Sequence, residues 1–230
     1  MAKHVAEAPA DGHQLVDRPF RSDIPGPIFD RIQDGVVRTV YRNLAFSKSP
    51  FDIAIYLQLL SRLRPRTVIE IGTKAGGSTL WFADMMTAQG AESPAVISVD
   101  IRPCVTFTDP RIAFLKGDAK ALAEVLTDQL MSQLGRPLLV VEDSSHMYTE
   151  CMPVLSFFHP HLSSGDYIVV EDGIVSQLTD PAYLNYKDGP NRAVADFLAR
   201  QGDDYEIDSA LCDLYGHNVT YNPNGWLRRR

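Results

Sequence analysis

Residues 68–78 read VIEIGTKAGGS, and the helical pattern TLWFADMM follows at 79–86. Val68, Ile69 and Ile71 make an apolar run of strand length that carries an acid, Glu70, next to its end. Gly72, Gly76 and Gly77 then form a turn that opens directly into the helix. Strand, glycine turn, helix is the layout of a nucleotide-type ligand site at the carboxyl edge of a parallel sheet. At such a site Gly72 would let the backbone approach a ligand, while Gly76 and Gly77 would permit a tight turn and close helix packing. A purely structural glycine turn in some other α/β protein is the competing reading of the same residues.

The spacing does not suit a pyrophosphate. A dinucleotide fingerprint needs G-x-G-x-x-G, whereas this turn is G-x-x-x-G-G with an acid two residues before the first glycine. Glu70 would repel a pyrophosphate and could pair with a cation. S-adenosylmethionine carries an ammonium and a sulfonium and has no phosphate. The segment resembles motif I of the class I S-adenosylmethionine-dependent methyltransferases.

Composition limits the alternatives. The chain has 230 residues, enough for one sizeable α/β domain, with 45% hydrophobic and 22% charged residues. A net charge of −7 and a pI near 5.3 argue against a nucleic-acid partner. Cys104, Cys151 and Cys212 are scattered and odd in number, with no metal spacing and no disulfide framework, which fits a reducing cytoplasm. No transmembrane segment and no signal-peptide core is visible, so a cytoplasmic protein is expected.

Around the turn the chain alternates strand and helix patterns. Residues 1–27, ending in Pro25, Gly26 and Pro27, read as a flexible arm. IFDRIQDGVVRTVYR (28–42) has helical spacing. Ser49 caps and Pro50 opens a second helix, FDIAIYLQLLSRL, which Pro65 closes. Strands follow at TVIEI, AVISVD, IAFLKGD, PLLVVED and DYIVVEDG, with YEIDSAL and HNVTYNP as two terminal strands. Helices are expected at AKALAEVLTDQL, MPVLSFFHPHL and NRAVADFLARQ. The sum is one α/β domain over 28–230. Helices at 28–64 precede a Rossmann-like, doubly wound, seven-stranded sheet over 65–230.

Several strands end in acids where ligands bind in such sheets. Asp100 lies thirty residues after Glu70 and is placed to accept both ribose hydroxyls of an adenosine. Asp118, in LKGDA, is either a neighbour of the adenine or the cap of the helix after it. LLVVEDSSH and YIVVEDG offer Asp143, Glu171 and Asp172. Carboxylates gathered without basic partners repel, and a hard divalent cation such as Mg²⁺ compensates them. A metal there could lower the pKa of a substrate hydroxyl. Glu142 competes with Asp143 as the first ligand; Asp143 is preferred because it lies further out and, by alternation, on the opposite face. His146, three residues on, is a candidate general base. Tyr183 and Tyr186 lie in the loop-rich segment 173–190 and either wall the acceptor site or anchor a lid.

Four stretches together carry a more specific resemblance: FSKSPFDIAIYLQLL, VIEIGTKAGGSTLWFADM, VVEDSSHMYTE with YIVVEDG, and GPNRAVADFL…TYNPNGWLRR. Over roughly residues 40–230 the chain resembles the cephalosporin hydroxylase and rhamnosyl O-methyltransferase family. The resemblance implies a class I fold, the cofactors S-adenosylmethionine and Mg²⁺, and a small-molecule or oligosaccharide acceptor. It implies metal acids at Asp143, Glu171 and Asp172, with catalysis by Asp143 and His146. It implies donor contacts at Glu70, Gly72, Thr73, Gly76, Ser78 and Asp100, with Asp118 beside them and Lys48 and Ser49 near the methionine end. Family members often form homo-oligomers. Ser145 stands where many members have a further acid. The expected reaction is O-methylation of a sugar hydroxyl, a mannoside or rhamnoside. A catechol-type O-methyltransferase and a non-catalytic donor-binding subunit are the alternatives.

Overall fold

The computed structural model describes residues 18–93 and 95–230. Helix α1 (Gly26–Val36) is followed by a hairpin, β1 (Val40–Tyr41) and β2 (Leu44–Ala45), and by helix α2 (Pro50–Leu63). Then come β3 (Thr67–Ile71), α3 (Gly77–Ala88), β4 (Ala95–Asp100), β5 (Ile112–Lys116), α4 (Asp128–Gln133), β6 (Leu138–Glu142), α5 (Tyr148–Phe158) and β7 (Tyr167–Val170). The chain closes with α6 (Gly189–Gln201), β8 (Tyr205–Ile207), α7 (Ser209–Cys212) and β9 (Trp226–Arg229).

Seven strands form one sheet in the order β5-β4-β3-β6-β7-β9-β8. The first five run parallel, and β9 is antiparallel to both β7 and β8. The chain starts this sheet at β3, moves outward through β4 and β5, then returns to the other side of β3 for β6. That reversal opens a crevice at the carboxyl ends of β3 and β6, where Gly72 and Asp143 lie.

Strand alternation builds the two layers. Ile69, Ile71, Val140, Ile168 and Val170 pack with α5 and α6 side chains such as Leu155 and Phe197. Val68, Val96, Val141 and Val169 pack on the other face with Tyr56, Trp81, Phe82 and Trp226. A smaller cluster joins α1 to the segment after β7 through Phe29, Val36, Ile174, Leu178 and Tyr221.

The structure differs from the sequence pattern in four places. Of the expected arm, residues 1–17 lie outside the described residues, while 18–25 are bound to the C-terminal part. Arg18 Nε donates to Asn224 Oδ1 at 2.6 Å, and the side chains of Asn218 and Asn224 donate to the Pro19 carbonyl. The helix expected over 28–42 stops at Val36, because Arg42 and Asn43 adopt left-handed backbone (φ 49° and 67°) and turn the β1–β2 hairpin. AKALAEVLTDQL is not one helix. A short 3₁₀ turn at Leu122–Glu124 precedes α4, which begins afresh where the Thr127 hydroxyl accepts from Leu130 N at 3.3 Å. HNVTYNP is a buried loop, and the last strand is Trp226–Arg229 instead. In that loop Asn218 sits at φ 50°, and the Thr220 hydroxyl bonds Asp52, so the alternating residues serve cross-links rather than a ladder.

Candidate active site

The acids at the ends of β6 and β7 converge on the crevice. Asp143 N donates to the Ile71 carbonyl at 2.8 Å, which extends the β3–β6 ladder by one residue and aims Asp143 out of the sheet. Asp172 N donates to Asn222 Oδ1 at 3.0 Å. His146 completes the group: its Nε2 lies 3.4 Å from Asp172 Oδ2 and its Nδ1 4.0 Å from Asp143 Oδ1. One ligand atom from each of the three lies within 4.8 Å of the others. All three side chains remain between a fifth and about a quarter exposed, so solvent and ligands reach them. His146 Nδ1 is buried without a hydrogen-bond partner.

Glu171 is placed differently from its neighbour. Its side chain is buried, one carboxylate oxygen pairs with Lys48 Nζ, and the other accepts from the Tyr56 hydroxyl. Lys48 Nζ also lies 2.6 Å from Asp143 Oδ2. Burial disfavours the ammonium, but Asp143, Glu171 and Glu70 outweigh it and hold Lys48 well above the usual lysine value. Burial likewise pushes Glu171 up, against the pull of Lys48. Glu142, the competing first ligand, points to the opposite face, fully buried, with its Oε1 held by Ser144. Burial raises it too.

A cleft of about 290 Å³ opens beside these acids, lined by Gly72, Asp100, Asp118, Ile101, Ser144 and Glu150 among others. Three expected donor residues therefore share one wall. Asp100 is already bonded: Oδ2 accepts from Thr73 N and Lys74 N at 2.9 Å each, and Oδ1 accepts from Arg102 N at 2.7 Å. A carboxylate has about four acceptor sites, which leaves capacity for a ligand hydroxyl. Asp118 closes a turn onto Lys120 N at 2.9 Å and caps no α-helix.

The remaining expected donor contacts are not in the cleft. Thr73 is 2% exposed, and its hydroxyl meets Ser98 Oγ at 2.7 Å. Glu70 is fully buried beneath the turn, where Thr79 and Ser98 bond Oε2 and Oε1 has no partner. Gly76 caps α3 with φ 79°, and Ser78 sits in that helix's first turn. Ser49 is the cap of α2: its hydroxyl accepts from Asp52 N at 3.1 Å and donates to Asp52 Oδ2 at 2.6 Å. Lys48 is committed to the acids.

Gly72 has a second reason for being glycine. At φ 108°, a Cβ there would lie 1.9 Å from the Asp143 carbonyl oxygen. The residue is required by the neighbouring strand end at least as much as by room for a ligand.

Tyr186 lies against His146, ring centroids 5.5 Å apart, and Tyr183 lies 6.3 Å from Tyr186. Gln33 of α1 donates to the Tyr183 hydroxyl at 3.0 Å. Tyr186 thus borders the acid cluster, while Tyr183 ties the segment to α1. Tyr56, Asn222 and Gln33 had no signal in the sequence. Tyr56 reads as a core position of an apolar helix, and the other two act through contacts across 50 and 150 residues that no local pattern encodes.

The residues fit both groups the fold implies. Two partly exposed carboxylates and an imidazole with a free nitrogen suit a divalent cation, and Asp143 and Glu171 already share a cation, the Lys48 ammonium. The cleft at the switch point, with a carboxylate on its wall, suits an adenosine.

Residues 35–230 match the family model described as Rhamnosyl O-methyltransferase/CmcI. Similar curated proteins include the rhamnosyl O-methyltransferase of Mycobacterium tuberculosis (strain ATCC 25618 / H37Rv), 30% identical over 84% of this chain and 78% of that protein. That of Mycobacterium leprae (strain TN) is 31% identical over 84% and 83%. Among solved structures, CmcI with Mg and SAM superposes with a TM-score of 0.63 at 24% identity, covering 96% of this chain and 90% of that one. This last likeness is one of fold.

Proposed function

The chain belongs to the Rhamnosyl O-methyltransferase/CmcI family, and from that premise we propose that it is an S-adenosylmethionine- and Mg²⁺-dependent O-methyltransferase acting on a sugar hydroxyl, a rhamnoside or mannoside. The observation that carries the reading is the convergence of Asp143, His146 and Asp172 beside the cleft that holds Gly72, Asp100 and Asp118. Bound S-adenosylmethionine supplies an electrophilic methyl group on a sulfonium, and bound Mg²⁺ supplies charge that makes a coordinated hydroxyl more acidic.

The chain's own residues do the rest. Asp100 and Asp118 line the cleft and would meet the ribose and adenine of the donor. Asp143 and Asp172, with Glu171 beside them, would hold the metal. His146, held between Asp143 and Asp172, is positioned to take the proton from the acceptor hydroxyl at Nε2. Tyr186, packed on His146, offers an apolar ring at the mouth of the site, on which a sugar face can stack. Because the sulfonium methyl is already activated, alignment and deprotonation supply most of the rate. Among the described residues no helix is long and apolar enough to cross a membrane. We place the enzyme in the cytoplasm with its donor, working as a homo-oligomer; light scattering in solution tests the latter.

Release of S-adenosylhomocysteine from a panel of rhamnosides, mannosides and catechols, with Mg²⁺ and with EDTA, tests the reading. Mg²⁺-dependent turnover of a glycoside is expected. Turnover of catechols alone would move the chain to an aromatic-diol enzyme, and donor binding without any turnover would leave a non-catalytic role.

A further inference from the structure

Two acids, Asp143 and Glu171, pair with one lysine at the mouth of the sheet. The Lys48 side chain is 3% exposed, and its Nζ lies 2.6 Å from Asp143 Oδ2 while also pairing with Glu171. Tyr56 donates to the second oxygen of Glu171. Each oxygen of Glu171 therefore already carries a bond, and Asp143 has one of its two oxygens committed. Yet these are two of the three carboxylates a divalent ion would draw on at this place. Asp143, Glu171 and Asp172 together carry three negative charges, and one ammonium with one divalent ion balances them. Glu70 acts on the same ammonium and keeps a buried, unpartnered oxygen, Oε1.

We propose that Lys48 is an internal counter-cation: its ammonium neutralises Asp143 and Glu171 in the metal-free chain, and a divalent ion binds in competition with it for Glu171. Without the lysine, three carboxylates would face one another in a largely buried space, at a cost that a bound metal or uptake of a proton would have to offset. With it, the empty site stays ordered and the ion must displace one contact to enter. Lys48 is in this sense a positioning residue of the metal site and not a donor-binding group. The inference rests on the reading of Asp143, Glu171 and Asp172 as metal acids.

Mn²⁺ binding followed by electron paramagnetic resonance tests it in wild type, Lys48→Met and Asp172→Asn. Lys48→Met should bind Mn²⁺ roughly ten-fold more tightly than wild type, because the competitor is gone, and Asp172→Asn should bind it more weakly. Equal or weaker binding in Lys48→Met overturns the role of Lys48 alone. Absence of Mn²⁺ binding in wild type overturns the metal-site reading and the proposal with it. A Lys48→Met protein that folds only when Mg²⁺ is present supports the proposal, since the ion then replaces the missing charge. If that variant folds under no condition, ¹⁵N-lysine NMR of the wild type decides. The Nζ signal of Lys48, assigned with Lys48→Arg, should move as Mg²⁺ saturates the site. A signal unmoved at saturation overturns the proposal.

Discussion

His146 and Asp172 both hold left-handed backbone, at φ 58° and 57°. For residues other than glycine this conformation is uncommon, costs on the order of 1 kcal/mol or more, and clusters at functional sites. Both residues face the same point, so the strain is spent on bringing an imidazole against a carboxylate. His146→Ala should lower turnover by about 100-fold or more while donor affinity by calorimetry stays within error, the pattern expected of a lost general base; a wild-type rate would reduce His146 to a structural role. Gly72 shows the complementary case, a residue whose job is to be small. A methyl at its Cβ position meets the backbone of Asp143, and φ 108° is strained for any side chain. Gly72→Ala should therefore destabilise the fold by about 2–4 kcal/mol in denaturant titrations and weaken Mn²⁺ binding by displacing Asp143. A variant of normal stability that lost only the donor would assign Gly72 to the ligand alone.

At the scale of elements, the N-terminus of α2 is fastened to the C-terminal loop by one buried carboxyl. Asp52 accepts from Ser49 Oγ, from Tyr221 N at 3.0 Å and from the Thr220 hydroxyl, and Thr220 Oγ1 in turn accepts from Trp226 Nε1 at 3.2 Å. Removing the Thr220 hydroxyl takes one of several partners from Asp52 and leaves Trp226 Nε1 and Asn222 N unpaired, so Thr220→Val should cost about 2–4 kcal/mol, read from denaturant midpoints. Burial pushes Asp52 up to about 6 from its ordinary 3.8, against the hydrogen bonds that favour its charge. A carboxyl whose folded value lies above its unfolded one binds its proton more tightly in the folded chain. Its contribution to stability is therefore greatest below about pH 4 and declines as pH rises through about 6, by roughly 3 kcal/mol in all. The stability difference between wild type and Asp52→Asn should fall by that order between pH 4 and 7. A difference independent of pH would mean that Asp52 remains ionised throughout.

The architecture of the whole molecule was legible where local pattern and tertiary role coincide. TVIEI, AVISVD and LLVVE are apolar because they are buried on both faces of a parallel sheet, and each is a strand at the expected place. Asp143 and Asp172 were legible because a strand end fixes where its next side chain goes. Legibility fails where a contact spans the chain. Trp226–Arg229 inserts between β7 and β8, yet HNVTYNP alternates more convincingly, since Thr220 and Asn218, which bind Asp52 and Arg18 from that loop, are polar for reasons remote in sequence. Ser49 and Lys48 were placed together near the donor by the family resemblance; in the structure one caps a helix and the other sits among acids, contacts that no local pattern announces.

The same long-range construction governs how ligands stabilise the molecule. The cleft touches β3 and β4 through Ile71 and Val99 and the segment after β6 through Ser144, and the acid cluster draws on the segments after β6 and β7. The two sites share the β3–β6 edge but few side chains. A ligand that binds only the folded chain adds about 2.7 kcal/mol at a hundred times its dissociation constant, a rise of roughly 5–10 °C in Tm for a domain of this size. S-adenosylhomocysteine at that level should give such a rise both with Mg²⁺ and with EDTA, and Mg²⁺ should add its own increment. Asp143→Asn should erase the Mg²⁺ increment and keep most of the other, because Asp143 stands outside the cleft lining. Loss of both increments together in that variant would show that metal acids and cleft act as one unit, with donor binding dependent on the metal site being formed.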